Sequence, residues 1–284
     1  MRSSCSPVVV MVVHVSLLVL LVSVAALSEG ASNEHHDWGY GKRNGPRSWT
    51  GVCSTGSFQS PIDLSLFTAH PRHFEPLVFF AYNMAANATI TNNGHTVSLT
   101  MRQPCTAQIA GGGLPGALPL EAHFVHYDSR RFKSVKEAVG QEDGLAVIGV
   151  MYRETNEPNP AISRLLNGVS GVIHTGSEMM LPGGLQLDRL LPRDTETFFR
   201  YRGSLTTPGC NEGVLWTVLT SYAPIAKEQF KELKSHGGKL ELNYRPVQPL
   251  NERVVYVRAE GSAAGLSALG LWVLLGVCSL LVKA

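Results

Sequence analysis

The sequence predicts a mainly β protein, and the distribution of turn residues and of apolar residues supports this fold class. Glycine (28 residues) and proline (16 residues) recur throughout the 284-residue chain and separate short β-branched stretches. Apolar residues with helical spacing are scarce. Because no internal repeat and no linker divides the central region, we expect a single domain over residues 33–258.

The elements of this domain follow from local patterns. Strands are predicted where β-branched and aromatic residues cluster between turn signals, and helices where apolar residues recur at helical spacing. The predicted strands are Leu77–Phe80, Thr89–Thr91, Thr96–Met101, Glu121–Tyr127, Leu145–Tyr152, Val214–Leu219 and Val254–Val257. The predicted helices are Ser134–Val139, Asn159–Gly168, Leu185–Leu190 and Ile225–Leu233.

The amino-terminal region has the layout of a secretory signal. Arg2 is followed by an apolar run from Val8 to Val24 and then by small residues. We assign residues 1–28 to a signal peptide, with an uncleaved membrane helix as the alternative. The small residues that close the run favour cleavage.

The carboxyl-terminal residues 262–284 are almost entirely apolar and long enough to cross a bilayer. Small residues just before the apolar run predict that a transamidase replaces this tail by a glycosylphosphatidylinositol (GPI) lipid at Ser262. A retained single-pass helix is the alternative. In either case we expect the domain to lie at the outer face of the plasma membrane, as a monomer attached to the membrane.

The charge balance does not favour a nucleic-acid partner, because 24 basic residues stand against 22 acidic ones. Once the cysteines of the signal and the tail are set aside, Cys53, Cys105 and Cys210 remain. In an oxidising compartment two of the three should pair, and the third is then a buried thiol or lacks its partner. Asn87 begins an N-glycosylation triplet, which suits a surface turn.

The segment Glu121–His126 combines a carboxylate with two histidines. On a strand alternate side chains share a face, so Glu121 and His123 point one way and His126 points the other. The two histidines therefore cannot be neighbouring ligands of one ion. A carboxylate beside one histidine is the arrangement that orients a metal-bound imidazole, although a strand histidine is also commonly a structural hydrogen-bonding residue.

Two further groups suited to chemistry lie in turns. Thr206 and Thr207 precede Pro208, and a hydroxyl that accepts from one partner while donating to another can orient a metal-bound hydroxide. An ordinary Thr-Pro turn explains the same residues. His95 follows the turn signal Asn92–Gly94, where it can transfer protons near neutral pH or be a plain surface histidine.

In their order along the chain, these segments resemble the alpha-class carbonic anhydrases over almost the whole mature sequence. The agreement of many blocks in one order is more specific than any single block. The blocks are Asp37–Tyr40, Asn44–Pro46, Trp49, Gln59–Asp63, Asn92–His95, Gly111–Pro115, Glu121–His126, Ser204–Pro208, Trp216 and Arg245–Leu250.

The resemblance implies a large twisted, mostly antiparallel sheet that holds zinc, and the reversible hydration of carbon dioxide to bicarbonate and a proton. It implies that His123 binds the zinc ion and that Glu121 holds the His123 ring. Thr206 would orient the zinc-bound hydroxide, and His95 would shuttle protons between the zinc-bound water and buffer.

The resemblance also assigns the walls of a substrate pocket and a disulfide. The apolar wall that receives carbon dioxide would consist of Val125, Val147, Leu205, Val214 and Trp216, and the polar wall of Tyr40, Asn92 and Thr207. A Cys53–Cys210 pair would match the disulfide of the extracellular, GPI-anchored branch of the family.

One part of the family pattern is missing. The zinc site of carbonic anhydrase, itself the type case of such a site, takes three histidines and leaves one position open to water. Two of them should come from a His-x-His pair on a preceding strand, and no His-x-His occurs in this sequence. The block Gly111–Pro115 instead runs through Ala117–Pro119 directly into Glu121, so roughly thirty residues, about two strands and their connection, are absent.

This gap predicts an impaired site and an interrupted sheet. We expect little or no hydratase activity, and two new sheet edges with unpaired backbone groups. Replacement ligands are available in principle, but a zinc site tolerates only small errors in ligand position. The candidates are His35, His36, His70, His73, His174 and His236.

Three functional interpretations remain open. The first, which we prefer, is the zinc-dependent lyase of the family, impaired in this chain by the missing ligands. The second is a catalytically inactive extracellular binding or adhesion module of the same fold, which would be a stable monomer with an apolar cleft and no zinc. The third is a product that misfolds and is retained in the secretory pathway.

Overall fold

The structure is a computed structural model that describes residues 38–101, 120–236 and 243–258, and the backbone of residues 278–283. Eleven strands lie in this part of the chain. They are β1 (His70–Arg72), β2 (Ala86–Asn92), β3 (Val97–Met101), β4 (Leu120–Tyr127), β5 (Leu145–Thr155), β6 (Glu178–Leu185), β7 (Phe198–Ser204), β8 (Glu212–Leu219), β9 (Ala223–Ala226), β10 (Tyr256–Arg258) and β11 (Cys278–Lys283).

All these strands belong to one sheet. Its order is β1-β10-β7-β8-β5-β4-β11-β3-β2-β6, and β9 pairs with β5 beside this path. The pairs β1/β10, β5/β8 and β5/β9 are parallel, and the remaining described pairs are antiparallel. The predicted fold class, a mainly β protein with a large and mostly antiparallel sheet, is confirmed.

The described helices are short. They are α1 (Val52–Thr55), α2 (Val135–Ala138), α3 (Pro160–Val169) and α4 (Lys227–His236), with 3-10 turns at Pro46–Ser48 and Leu187–Leu190. Asn159 caps α3, since its side chain accepts hydrogen bonds from the backbone N–H groups of Ala161 and Ile162. The buried residues of α3 recur at helical spacing and hold the helix against the sheet.

The two faces of the sheet carry separate apolar cores. One core contains Ala122 and Phe124 of β4 together with Ile162 of α3. The other contains Val125 of β4 with Trp216 of β8. Strand β4 is thus buried on both faces, and its polar residues Glu121, His123 and His126 are buried with it.

Most of the predicted elements form, and the exceptions have physical reasons. Leu77–Phe80 is not a strand: the segment has no pairing partner, and Phe80 is 63% exposed. In the predicted helix Leu185–Leu190, Leu185 ends β6, which leaves only a 3-10 turn. In the predicted helix Ile225–Leu233, the first residues pair with β5 as β9 before α4 begins.

Asn87 lies in strand β2 and not in the turn that its sequence context suggested. The register between β2 and β6 shifts between Ala86 and Ala88, so Asn87 sits at an irregularity of the ladder. Its side chain is exposed. A glycan attached here would project from the surface of the sheet.

The sheet is continuous where two unpaired edges were expected. Strands β3 and β4 do not pair with each other, and β11 lies between them and pairs antiparallel with both. Leu281 stands opposite Ser98 of β3 on one side and opposite His123 of β4 on the other. The segment expected to be part of a membrane anchor is therefore a central strand. The predicted signal peptide, Cys105 and Ser262 lie outside the described residues.

Candidate functional site

Strand β4 presents Glu121 and His123 together on one face of the sheet. The alternation of the strand puts them on the same side as Val125 and on the side opposite to Phe124. Both are almost fully buried, with exposed fractions of 8% for Glu121 and 7% for His123. The carboxylate and the imidazole therefore meet with only a small part of their surfaces exposed.

The imidazole of His123 lies directly against the Glu121 carboxylate. Nε2 of His123 is 2.8 Å from Oε1 of Glu121. The N–H direction of the ring is not aligned with this oxygen, so within the described residues Nε2 makes no well-formed hydrogen bond. Trp216 meets the His123 ring edge to face, with centroids 4.8 Å apart. Gly149 leaves room for the carboxylate, because a Cβ there would lie 3.3 Å from Oε1 of Glu121.

His126 lies on the other face of β4 and has a different role. Its Nδ1 is 3.3 Å from the carbonyl oxygen of Ala146, and its Nε2 is 2.7 Å from the hydroxyl of Tyr82. The carbonyl can only accept, so Nδ1 carries a proton, and in the neutral ring Nε2 then accepts from the Tyr82 hydroxyl. Burial lowers the pKa of His126 to about 4. This histidine is a structural hydrogen-bonding residue.

The turn between β7 and β8 carries Thr206 and Thr207. It is closed by a hydrogen bond from the Cys210 N–H to the Thr207 carbonyl (2.9 Å). The backbone of Cys210 has a positive φ of 42°, and its sulfur is bonded to that of Cys53. The predicted Cys53–Cys210 disulfide is confirmed, and it fixes the turn that holds the two hydroxyls, both half-buried.

His95 and Tyr40 belong to an aromatic cluster around Trp38. The His95 ring stacks on Trp38 with centroids 3.7 Å apart, and Trp38 meets Tyr40 and Trp49 edge to face. The side-chain oxygen of Asn93 accepts hydrogen bonds from the backbone N–H groups of His95 and Thr96, which fixes the turn. Burial raises the pKa of Tyr40 well above its ordinary value.

A cleft of about 380 Å³ opens beside the Glu121–His123 pair. Four of the predicted site residues line it, namely Glu121, His123, Thr206 and Trp216. Most of its remaining lining is apolar. It includes Ile62, Leu64, Leu66, Phe67, Met151, Phe199, Val218, Tyr244 and Val247. Phe67 is fully exposed and Leu66 is 60% exposed, so these two side chains lie at its mouth.

The other predicted pocket residues do not line this cleft. The aliphatic ones, Val125, Val147 and Val214, are buried in the core on the His123 face, and Leu205 packs against that core. Asn92 is buried, and its amide donates hydrogen bonds to the carbonyl groups of Val172 and Ile173. Its amide nitrogen is therefore engaged within the fold.

The described residues do not fit a zinc site. Across residues 38–101, 120–236 and 243–258, no group of three or more His, Cys, Asp or Glu side chains is placed to hold a metal ion. Residues 102–119 contain no histidine, and His35, His36 and the side chain of His236 lie outside the described part. Of the remaining described histidines, His70, His73 and His174 are exposed, His95 is stacked on Trp38 and His126 faces the opposite core.

Comparison with known proteins gives a family. The family model described as "Eukaryotic-type carbonic anhydrase" matches residues 44–118 and 116–259, which together span most of the chain. The chain belongs to the carbonic anhydrase family. It is 34% identical to "Putative carbonic anhydrase 5" of Caenorhabditis elegans, with 86% of this chain and 89% of that protein covered. It is 31% identical to "Carbonic anhydrase 12" of Homo sapiens, with 94% of this chain and 88% of that protein covered.

These matches also locate the departure from other carbonic anhydrases. The family model matches in two pieces that meet at residues 116–118, between the Gly111–Pro115 block and β4. The alignment with the human relative runs over 314 positions, more than the 284 residues of this chain, so that relative has residues that this chain lacks. Both observations agree with the missing segment inferred from the motifs.

Sequence reasoning missed the polar framework behind the cleft. The Ser60 hydroxyl lies 3.2 Å from the Tyr201 hydroxyl and accepts a hydrogen bond from the Ser204 N–H (3.0 Å). The guanidinium of Arg245 donates to the carbonyl groups of Ser60 (2.8 Å) and Cys53 (2.7 Å). Arg245 opens the last block of the resemblance, and its near-complete burial (3% exposed) gives that block a structural reason.

Proposed function

We propose that this member of the carbonic anhydrase family lacks hydratase activity and acts as an extracellular binding module of the carbonic anhydrase fold. The observation that carries the proposal is the surroundings of His123: in the described residues it has a carboxylate neighbour and no second histidine. A hydratase zinc needs three histidines and an open position for water. On this proposal, hydration of carbon dioxide to bicarbonate is catalysed only by family members that have all three histidine ligands.

The cleft beside His123 supports a binding role. Its volume of about 380 Å³ lies within the range of about 300–1,000 Å³ that is usual for small-molecule sites. The walls are largely apolar, and Glu121, His123 and Thr206 supply a few polar groups. This combination suits a small apolar or aromatic ligand that carries a hydrogen-bond donor. The Glu121 carboxylate would accept the hydrogen bond from that donor.

The disulfide supports the proposed extracellular location. Cys53 and Cys210 join segments 157 residues apart, and such bonds persist in oxidising compartments. In the described part of the chain, we find no helix with the length and apolar character that a membrane crossing requires. Lipid attachment at Ser262 would suit a surface module, but it would also remove strand β11 from the chain.

Zinc content and hydratase activity of the purified full chain test the proposal. We expect far less than one zinc per chain after dialysis against zinc-containing buffer, and a carbon dioxide hydration rate equal to that of buffer. His123→Ala should give the same values. One zinc per chain that is lost in His123→Ala, with hydration abolished by a zinc-site inhibitor, would overturn the proposal. A sample without a cooperative unfolding transition would instead support a misfolded product.

A second experiment tests the cleft as a binding site, with benzylamine as the probe because it joins an aromatic ring to a hydrogen-bond donor. Ligand-observed NMR should show binding to the unmodified chain. Met151→Trp, which fills the cleft, should weaken binding at least tenfold. The matched control is Met180→Trp, at a residue that is 52% exposed and does not line the cleft. Equal binding by the two variants would exclude the cleft as the site.

A further inference from the structure

The backbone of β11 fills a complete gap in the sheet. On one side it pairs with β3, from Ser279 opposite Thr100 to Val282 opposite Val97. On the other side it pairs with β4, from Cys278 opposite His126 to Lys283 opposite Glu121. Every residue from Ser279 to Val282 therefore has a partner on both sides, as in the interior of an ordinary sheet.

The surroundings of this gap make its occupation energetically important. Leu99 of β3 and Ala122 and Phe124 of β4 are fully buried in the closed sheet. An empty gap would leave backbone N–H and C=O groups of both strands without partners beside this apolar core. Each unsatisfied buried group costs about 1–3 kcal/mol. The gap is therefore a site that selects an extended segment with β-forming side chains.

We propose that the domain needs segment 278–283 of the same chain between β3 and β4 in order to fold, so that this space acts as a strand-acceptor site. The sequence of this segment, Cys-Ser-Leu-Leu-Val-Lys, is short, apolar and free of proline and glycine, which suits a central strand. Residues 259–277 can extend over on the order of 60 Å, which is ample to return the chain from β10 to the gap. The proposal does not depend on the proposed function.

The proposal gives the apolar tail a role in folding. A chain processed at Ser262 loses residues 278–283 and with them the central strand, so a lipid anchor at Ser262 and a closed sheet exclude each other. The same holds for a tail that crosses the membrane, because the strand cannot then pair with β3 and β4. The intact chain keeps residues 278–283 within the sheet.

Disulfide trapping tests the register in the full chain. With Cys105 and Cys278 replaced by serine, Ser279→Cys is combined with Thr100→Cys, its partner on β3. Directly opposed residues of antiparallel strands have Cα atoms about 4.5–5.5 Å apart, within the range of a disulfide. The matched control combines Ser279→Cys with Ser98→Cys, which is two positions out of register, at about 7–8 Å.

We expect the opposed pair to cross-link within one chain at least fivefold faster than the control. Equal rates in the two variants, or no cross-link in either, would overturn the proposal. A disulfide-linked dimer formed by the opposed pair would also overturn it, because the strand would then come from a second copy of the chain.

Hydrogen exchange provides a second test that does not rely on introduced cysteines. Leu281→Pro removes one backbone N–H from the middle of β11, whereas Leu281→Ala keeps it. In the proline variant the amides of β3 and β4 should lose protection at least tenfold, or the whole domain should unfold, while the alanine variant keeps its protection. Unchanged protection in Leu281→Pro would refute the proposal. So would a mature protein from cells that carries a lipid at Ser262 and no residues 278–283.

Discussion

The carboxylate of Glu121 lies 2.8 Å from Nε2 of His123 on one face of β4. Each group is the polar neighbour of the other and both are almost completely buried, so the loss of one leaves the other without a polar neighbour. Trp216 holds the imidazole from the side and Gly149 leaves space for the carboxylate. The two residues therefore act as a unit, and single changes should cost more than a change of both.

This coupling predicts a non-additive effect on stability. His123→Phe leaves the Glu121 carboxylate buried without its partner, and we expect the free energy of unfolding to fall by about 1–3 kcal/mol. Adding Glu121→Gln should recover most of this loss, since the carboxylate that lost its neighbour is then gone. Urea denaturation of both single variants and of the double variant measures the coupling. Simple additivity would contradict the prediction.

Acid should destabilise the domain through His126. Burial lowers the pKa of His126 from 6.5 to about 4. Between these values the unfolded chain binds a proton that the folded chain does not. The free energy of unfolding should therefore fall as the pH decreases from 7 to 4, by up to about 3 kcal/mol from this group. Denaturation curves across this range measure the slope, which His126→Gln should reduce; equal slopes would show that His126 is not responsible.

The side chain of Gln229 joins α4 to the start of α3. Its oxygen accepts from the N–H groups of Asn159 (2.9 Å) and Ala226 (3.0 Å), and its nitrogen donates to the Asn159 carbonyl (2.7 Å). Gln229→Ala leaves these buried groups unsatisfied, so we expect a loss of about 2–3 kcal/mol in unfolding free energy. Thermal or urea unfolding measures it. Glu228→Ala, at the exposed neighbouring position, is the matched control and should change stability by less than about 0.5 kcal/mol.

The Cys53–Cys210 disulfide should contribute strongly to stability because it closes a loop of 157 residues. Replacing both cysteines by alanine should lower the free energy of unfolding by about 2–5 kcal/mol. Urea denaturation of the double variant, beside the unmodified chain with and without a reducing agent, measures the effect. The reduced unmodified chain should match the variant. A loss below about 1 kcal/mol would mean that the link between α1 and the Thr206 turn adds little.

The sequence predicted those strands whose own residues favour extended structure. The central strands β4, β5 and β8 are rich in apolar, aromatic and β-branched residues, and they form within a few residues of the predicted bounds. Strand β7 was missed because Arg200 and Arg202 interrupt its pattern. The Arg200 guanidinium lies over the rings of Phe74 and Phe198, each about 5 Å away. These ring contacts stabilise an arginine within the strand, and they are tertiary contacts that local sequence does not reveal.

The candidate site was likewise predicted where it depends on local sequence and missed where it depends on tertiary contacts. The shared face of Glu121 and His123 follows from the strand period, which is a local property. The cleft does not, because segments near Leu66 and Val247 meet there from opposite ends of the domain. The position of β11 could not be predicted from the sequence either. An apolar tail is compatible with a membrane and with a sheet, and only the gap between β3 and β4 distinguishes these two locations.

The central place of β11 bears on how a protein of this architecture withstands the loss of an internal segment. The hydrogen bonds that join neighbouring strands are made by backbone groups, so the place between β3 and β4 can accept many different sequences. Six residues of unrelated composition from the far end of the chain fill it. A catalytic ligand set is the opposite, because it requires particular side chains at particular points. Under the proposed function, the deletion separates two properties that usually change together: segment 278–283 takes the place of a strand, whereas no described histidine takes the place of a zinc ligand.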